Sequence, residues 1–252
     1  MKIIATHSFR GGSGKSFIAL NMAVASARAG IKTIVMDCDF GSPSFQSNLT
    51  SKIPPIKYGN DFLLNRSSEK EIIYPTVISN LDAIYANPKP VLGKGLLGTT
   101  EKPHWVALQQ FSQLRESLEK LGYEKLFLDT APELSLSSVS ALTVADSIIL
   151  VHRPTIHSLD ITLYVIQTIY TALKKTLKPR LFFLIYNQVP HGSSEKVNNL
   201  LDSLTSEFKQ YIDIKILGSI PLDPEMDFWD NLLIREDSEL FEKIRNMVEK
   251  LS

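Results

Sequence analysis

The apolar positions fall into short blocks separated by polar punctuation. Ile3-Ile4-Ala5 is a brief apolar run, residues 8–16 are polar and glycine-rich, and Phe17 to Ala29 is rich in alanine and other small or apolar residues. This order reads as strand, loop and helix, with Gly30 closing the helix. Ile31 to Met36 then has the continuous apolar character of a strand buried on both faces, and it runs into Asp37-Cys38-Asp39. Comparable strands are expected at Leu81 to Ala86, Lys125 to Asp129, Ser147 to Val151 and Arg180 to Tyr186. Between them Leu108, Phe111, Leu114, Leu118 and Leu121 place one stripe on a helix, a second helix is expected from Ser158 to about Thr176, and Leu240, Phe241, Ile244, Met247, Val248 and Leu251 repeat at helical spacing near the end. Strands alternating with helices predict an α/β fold, a doubly wound and mostly parallel sheet with helices on both faces. Pro54-Pro55 and the run Asn87 to Gly95 break regular structure, and the second reads as a solvated loop.

The first block carries the chemistry. Ser8-Phe9-Arg10-Gly11-Gly12-Ser13-Gly14-Lys15-Ser16 places three glycines in four positions ahead of a helix. Such a loop turns successive backbone N–H groups into one concavity, to which the helix N-terminus adds its own N–H groups and the positive end of its dipole. That concavity suits phosphate. Gly11, Gly12, Ser13, Gly14, Lys15, Ser16 and Phe17 are therefore the candidate phosphate-binding residues, with Lys15 reaching the β- and γ-phosphates and the Ser16 hydroxyl placed to ligate Mg²⁺. The strict P-loop pattern wants glycine where Phe9 stands.

Composition narrows the picture. At 252 residues and 44% apolar content the chain is expected to form one domain over 1–252. A formal net charge of zero argues against a chain that coats DNA or an anionic membrane, so direct DNA binding is not favoured. No stretch of about 18 uncharged apolar residues occurs, so neither signal peptide nor transmembrane helix is expected and a cytoplasmic protein is. The single cysteine, Cys38, forbids an internal disulfide or a multi-cysteine metal site within one chain and reads as a small buried residue.

Arg10-Gly11-Gly12-Ser13-Gly14-Lys15-Ser16 resembles the deviant Walker A loop, Lys-Gly-Gly-x-Gly-Lys-Ser/Thr, of the MinD/ParA class of P-loop ATPases. Arg10 stands at the signature lysine, which in that family reaches across a dimer interface to the partner's ATP; arginine keeps the charge with a wider, planar group. The resemblance implies that Asp39 orients the attacking water, that Asp37 lies nearer the Mg²⁺ shell, and that Asp129, opening Asp-Thr-Ala-Pro-Glu, senses the γ-phosphate through Mg²⁺. Glu133 departs from the glycine usual there. Ala145-Asp146, Arg153-Pro154-Thr155 and Ser158-Leu159 match a further block, Asn187 matches the asparagine that reads the adenine edge, and Gly218 to Asp223 matches a loop whose backbone, near Pro221, packs on the base. Lysine and aspartate of the GTPase type are missing after Asn187, so ATP is the expected nucleotide. Iron–sulfur carriers, the nitrogenase iron protein and nickel-insertion ATPases of the class are excluded, because they need further cysteines.

What the resemblance implies is a Mg-ATP-dependent homodimer that hydrolyses ATP slowly, with Arg10, Lys15 and Asp39 as the catalytic set and a protein partner or activator. Its task would be spatial positioning of a division site, a surface appendage or DNA. Two other readings are an ATP-binding regulatory module with little or no hydrolysis, and a P-loop ligase or kinase, for which no acceptor pocket is identifiable. MinD proteins carry a C-terminal membrane-targeting helix. Here Glu239, Glu242 and Glu249 share the polar face with Lys243, Arg245 and Lys250, which favours packing against the sheet over membrane contact.

Overall fold

A computed structural model describes residues 1–89, 104–132, 135–174, 180–223 and 232–251. Its strands are β1 (Lys2–His7), β2 (Thr33–Cys38), β3 (Tyr74–Pro75), β4 (Leu81–Ile84), β5 (Lys125–Thr130), β6 (Ser147–His152), β7 (Leu181–Val189) and β8 (Ile214–Pro221). The helices are α1 (Lys15–Arg28), α2 (Phe45–Asn48), α3 (Gly59–Leu63), α4 (His104–Lys120), α5 (Leu136–Val144), α6 (Ile156–Val165), α7 (Thr171–Lys174), α8 (Ser194–Lys209) and α9 (Glu239–Glu249), with a π-helical turn, Ile166–Tyr170, between α6 and α7. The strands form one sheet in the order β3-β4-β2-β5-β1-β6-β7-β8, parallel except where β3 meets β4.

Two cores follow from the alternation of side chains along buried strands. Ile3 and Ala5 of β1, Ile34 and Met36 of β2, and Leu126 and Leu128 of β5 face one side with Phe111, Leu114 and Leu118 of α4. Ile4, Val35 and Phe127 face the other with α1 and α9. Nearly every residue of α1 is buried, because the helix is sandwiched between the sheet and α9, and this explains a sequence with no polar face.

Boundaries move where pairing overrides local pattern. The expected strand 31–36 lies at 33–38, since Asp37 and Cys38 pair with Asp129 and Thr130 of β5. Gly218 to Pro221 belongs to β8 rather than to a loop. Leu121 is 40% exposed, because α4 stops at Lys120 and Gly122 takes φ 81°. The helix expected from Ser158 starts at Ile156 and passes through the π turn. Of the loop 87–95, residues 90–95 lie outside the described residues, as does Glu133.

The two edges of the sheet are irregular. β3 is a two-residue strand that ends in Pro75, and β8 bulges at Leu217, whose carbonyl accepts a hydrogen bond from Lys250 Nζ at 2.9 Å. Among the described residues no helix is long and apolar enough to cross a membrane. The apolar stripe of α9 is spent on the core: Phe241, Ile244, Met247 and Val248 are buried beside α1, and Ser238 Oγ caps the helix by accepting from Phe241 N at 3.1 Å. Ile244→Ala is therefore expected to lower the unfolding free energy by about 2–5 kcal/mol, measured by urea titration. A neutral substitution would mean that α9 does not dock as described.

Candidate functional site

Parallel strands deliver their carboxyl ends to one edge of the sheet, and the candidate residues gather there. β1 ends at His7 and the glycine loop follows, with Gly12 at φ 73° and Gly14 at φ 87°, conformations that cost a residue with a Cβ. Gly14 has a second reason to be glycine, since a Cβ there would overlap the Asn187 amide. Lys15 opens α1 and is 6% exposed, while Ser16 is half-buried beside it. The Phe17 ring is buried in the core, so only its backbone faces the loop.

The loop is held by its carbonyls. Ser8 Oγ donates to the Arg10 carbonyl at 3.0 Å, and Ser13 Oγ donates to Ser8 Oγ at 2.6 Å. From β7, Asn187 Nδ2 donates to the Ser13 carbonyl at 2.8 Å and Gln188 Nε2 donates to the Gly12 carbonyl at 2.9 Å. Asn187, expected to read adenine, thus spends an amide proton on the phosphate loop in this structure. Pro221 is exposed at the end of β8, tied to the same edge by the bond from Leu222 N to the Val189 carbonyl at 2.8 Å. Arg10 is exposed and lines a cavity of about 200 Å³ with Phe9, Gly11, Arg153 and Thr155.

The carboxylates divide into two kinds. Asp37 is fully buried at the end of β2, and its oxygens accept from Asp39 N at 3.0 Å, Ser44 N at 2.9 Å and Phe45 N at 3.2 Å, so it braces the turn into α2 instead of pointing out of the strand. Asp39 is half-buried and accepts from Ser42 N at 3.0 Å. Asp129 is also fully buried; Thr6 Oγ1 reaches its Oδ1 at 3.4 Å, while Oδ2 has no partner among the described residues. Burial pushes the Asp129 carboxyl up to about 7, with a smaller push from Asp39, against the Ser16 side chain and Lys15, which hold it down. Asp37 is raised by burial and by Asp129 itself.

Behind the loop, Thr130 Oγ1 donates to the Thr6 carbonyl at 2.8 Å, so the 2.7 Å contact between Thr130 Oγ1 and His7 Nδ1 has the ring as donor. Burial, and then Lys15, push the His7 ring down to about 3 and keep it neutral. It packs edge-on against Phe9, with centroids 4.5 Å apart. His7, Thr130 and Gln188 are the residues that sequence reasoning did not single out. For Gln188 the available signal was a second amide directly after Asn187; for His7 there was none beyond its place beside the loop.

A family model described as an AAA domain matches residues 1–182. The chain is 26% identical over 223 residues to an uncharacterised ATP-binding protein of Methanocaldococcus jannaschii, covering 88% of this chain and 75% of that protein. It is 27% identical over 157 residues to the chromosome partitioning protein ParA of Myxococcus xanthus, covering 59% and 51% respectively. Among solved structures, the cell division ATPase MinD of Pyrococcus furiosus superposes with a TM-score of 0.72 at 21% identity, over 100% of this chain and 99% of that one.

The buried carboxyl pair sets a pH dependence with a definite sign. Asp129 has a folded pKa above its unfolded value near 3.8, so the folded state binds more protons between those limits and loses stability as pH rises from about 4 to 7. Asp129→Asn cannot ionise. In buffer with EDTA and no nucleotide, the stability of this variant relative to the parent chain is expected to climb over that range by about 1–3 kcal/mol, read from urea midpoints at each pH. A difference that stays flat would refute the raised pKa.

Proposed function

Because the chain belongs to the AAA-domain family and is a MinD/ParA-type P-loop ATPase, we propose that it is a nucleotide switch: a single ATPase domain that binds Mg-ATP, dimerises face to face around two nucleotides and hydrolyses ATP slowly. The observation that carries this reading is the pairing of a carbonyl-tethered glycine loop with Lys15, Ser16 and a buried Asp129 oxygen that has no hydrogen-bond partner among the described residues, all on one sheet edge.

The residues fit the cation as well as the phosphates. Among the described residues no cluster of three or more His, Cys, Asp or Glu is arranged to hold a metal, so the protein would contribute little beyond the Ser16 hydroxyl and Asp129, with phosphate oxygens and water completing the shell. Mg²⁺ held by these two residues would offset charge on the transferred phosphoryl group. Loop N–H groups from Gly11 to Phe17 would cradle the phosphates, Lys15 would add its charge, and the exposed Arg10 would be free of burial to reach the nucleotide of a second copy. Asp39 would orient the water that attacks the γ-phosphorus as the bond to the ADP oxygen breaks, and Asp37, which braces the turn carrying Asp39, would act on the cation only through that turn. The backbone at Pro221 would flank the adenine, and Asn187 would meet its edge with the part of the amide that Ser13 does not use.

The switch acts in the cytoplasm on a protein partner that reads the ATP-bound dimer, and its task is partitioning or positioning. Support for that task comes from relatives named for chromosome partitioning and cell division.

Lys15→Ala is expected to weaken Mg-ATP binding at least about tenfold by calorimetry, since the phosphates lose a charge-assisted partner. Affinity unchanged from the parent chain would remove residues 8–16 from nucleotide binding. Asp39→Ala should retain that affinity while steady-state phosphate release drops about a hundredfold, and an ATP-bound dimer should accumulate in light scattering. Turnover at the parental rate would exclude Asp39 from the chemistry, and no turnover in the parent would favour a binding module.

A further inference from the structure

Asn187 and Gln188 are neighbours in β7, and neighbours in a strand project to opposite faces. Here both amides reach the same loop, to carbonyls of the adjacent residues Ser13 and Gly12. Two irregularities make this geometry available. The β7–β8 register shifts between Tyr186 and Val189, which releases residues 187 and 188 from pairing, and Gln188 adopts φ 56°. A left-handed conformation is costly for a residue with a Cβ and persists where surrounding contacts enforce it.

We propose that Gln188 is a positioning residue for phosphate: its amide turns the Gly12–Ser13 peptide so that the Ser13 N–H points into the phosphate cradle. A trans peptide is planar, with its C=O and the following N–H on opposite sides. Drawing the Gly12 carbonyl toward β7 therefore commits the Ser13 N–H to the other side of the loop, and Asn187 does the same for the Gly14 N–H through the Ser13 carbonyl. Two successive N–H groups are thereby oriented before any ligand arrives, which removes an ordering cost from binding. Asparagine at 187 matches the family pattern, and the second tether comes from the strained Gln188. The proposal rests on the nucleotide-binding reading above.

The test separates the donor from the backbone strain. Gln188→Met keeps the length of the side chain and its backbone cost but deletes the donor, while Gln188→Gly deletes the donor and relieves the strain. Both variants are expected to bind Mg-ADP roughly three- to tenfold more weakly than the parent chain by calorimetry, the worth of one lost neutral hydrogen bond. Without nucleotide, the melting temperature of Gln188→Gly should exceed that of Gln188→Met, since only glycine sits at φ 56° without strain. Affinity would thus follow the donor while stability follows the backbone. Parental affinity in either variant, or affinities that rank with melting temperature, would overturn the positioning role. Failure of the parent chain to bind Mg-ADP would instead overturn the nucleotide reading itself.

Discussion

A phosphate cradle made of backbone N–H groups has to be kept open with its donors unspent, and that requirement organises the carboxyl edge of this sheet. Left alone, a glycine-rich segment gains by turning its N–H groups onto its own carbonyls. Here side chains occupy the carbonyls first: Ser8 takes that of Arg10, Gln188 that of Gly12 and Asn187 that of Ser13. The anchor for these bonds is the middle of the sheet, where β1 runs between β5 and β6 with both faces buried. Rigidity at β1 and β7 is passed to the loop through polar contacts, so the glycines can adopt left-handed conformations without the loop becoming loose.

The same edge concentrates charge that has little water to solvate it. Asp37 and Asp129 are adjacent in the β2–β5 register and fully buried, with Lys15 the cation nearest Asp129 in electrostatic effect. Asp37 is offset by three backbone N–H groups, whereas one oxygen of Asp129 has no hydrogen-bond partner among the described residues. Such an arrangement is poorly balanced by itself and would be better balanced with a bound cation, in keeping with the nucleotide switch proposed above. His7 contributes nothing to that balance in charge. Its neutral ring, donating to Thr130, joins the root of the loop to the end of β5.

The α/β architecture and the phosphate loop were legible because their signals are local: apolar runs that end in aspartate, and glycines at fixed spacing before Lys15 and Ser16. The middle of the chain was less legible. β3 exists only by pairing with β4, and α2 and α3 are single turns, too short to show a period. Asp37 illustrates how a motif can be found and its environment missed. Its position at the end of an apolar run was plain, but pairing with β5 carries the strand two residues further and turns an expected exit residue into a buried brace. Gln188 was given no role because it lies past the expected end of the strand at Tyr186 and lacks the charge of a GTPase lysine, and a register shift with a positive φ is what brings its amide to the loop.

The margins of the sheet also bear on how this molecule can meet others. An open parallel sheet has two outer strands whose unpaired backbone groups invite another strand to join. At one margin the outer strand is two residues long and contains a proline; at the other, the bulge at Leu217 interrupts the ladder and the ammonium group of Lys250 occupies its carbonyl. Lateral growth into a continuous ribbon of sheet is therefore discouraged at both ends. The face-to-face pairing proposed above, over the phosphate cradle, would therefore face little competition from extension of the sheet at either margin.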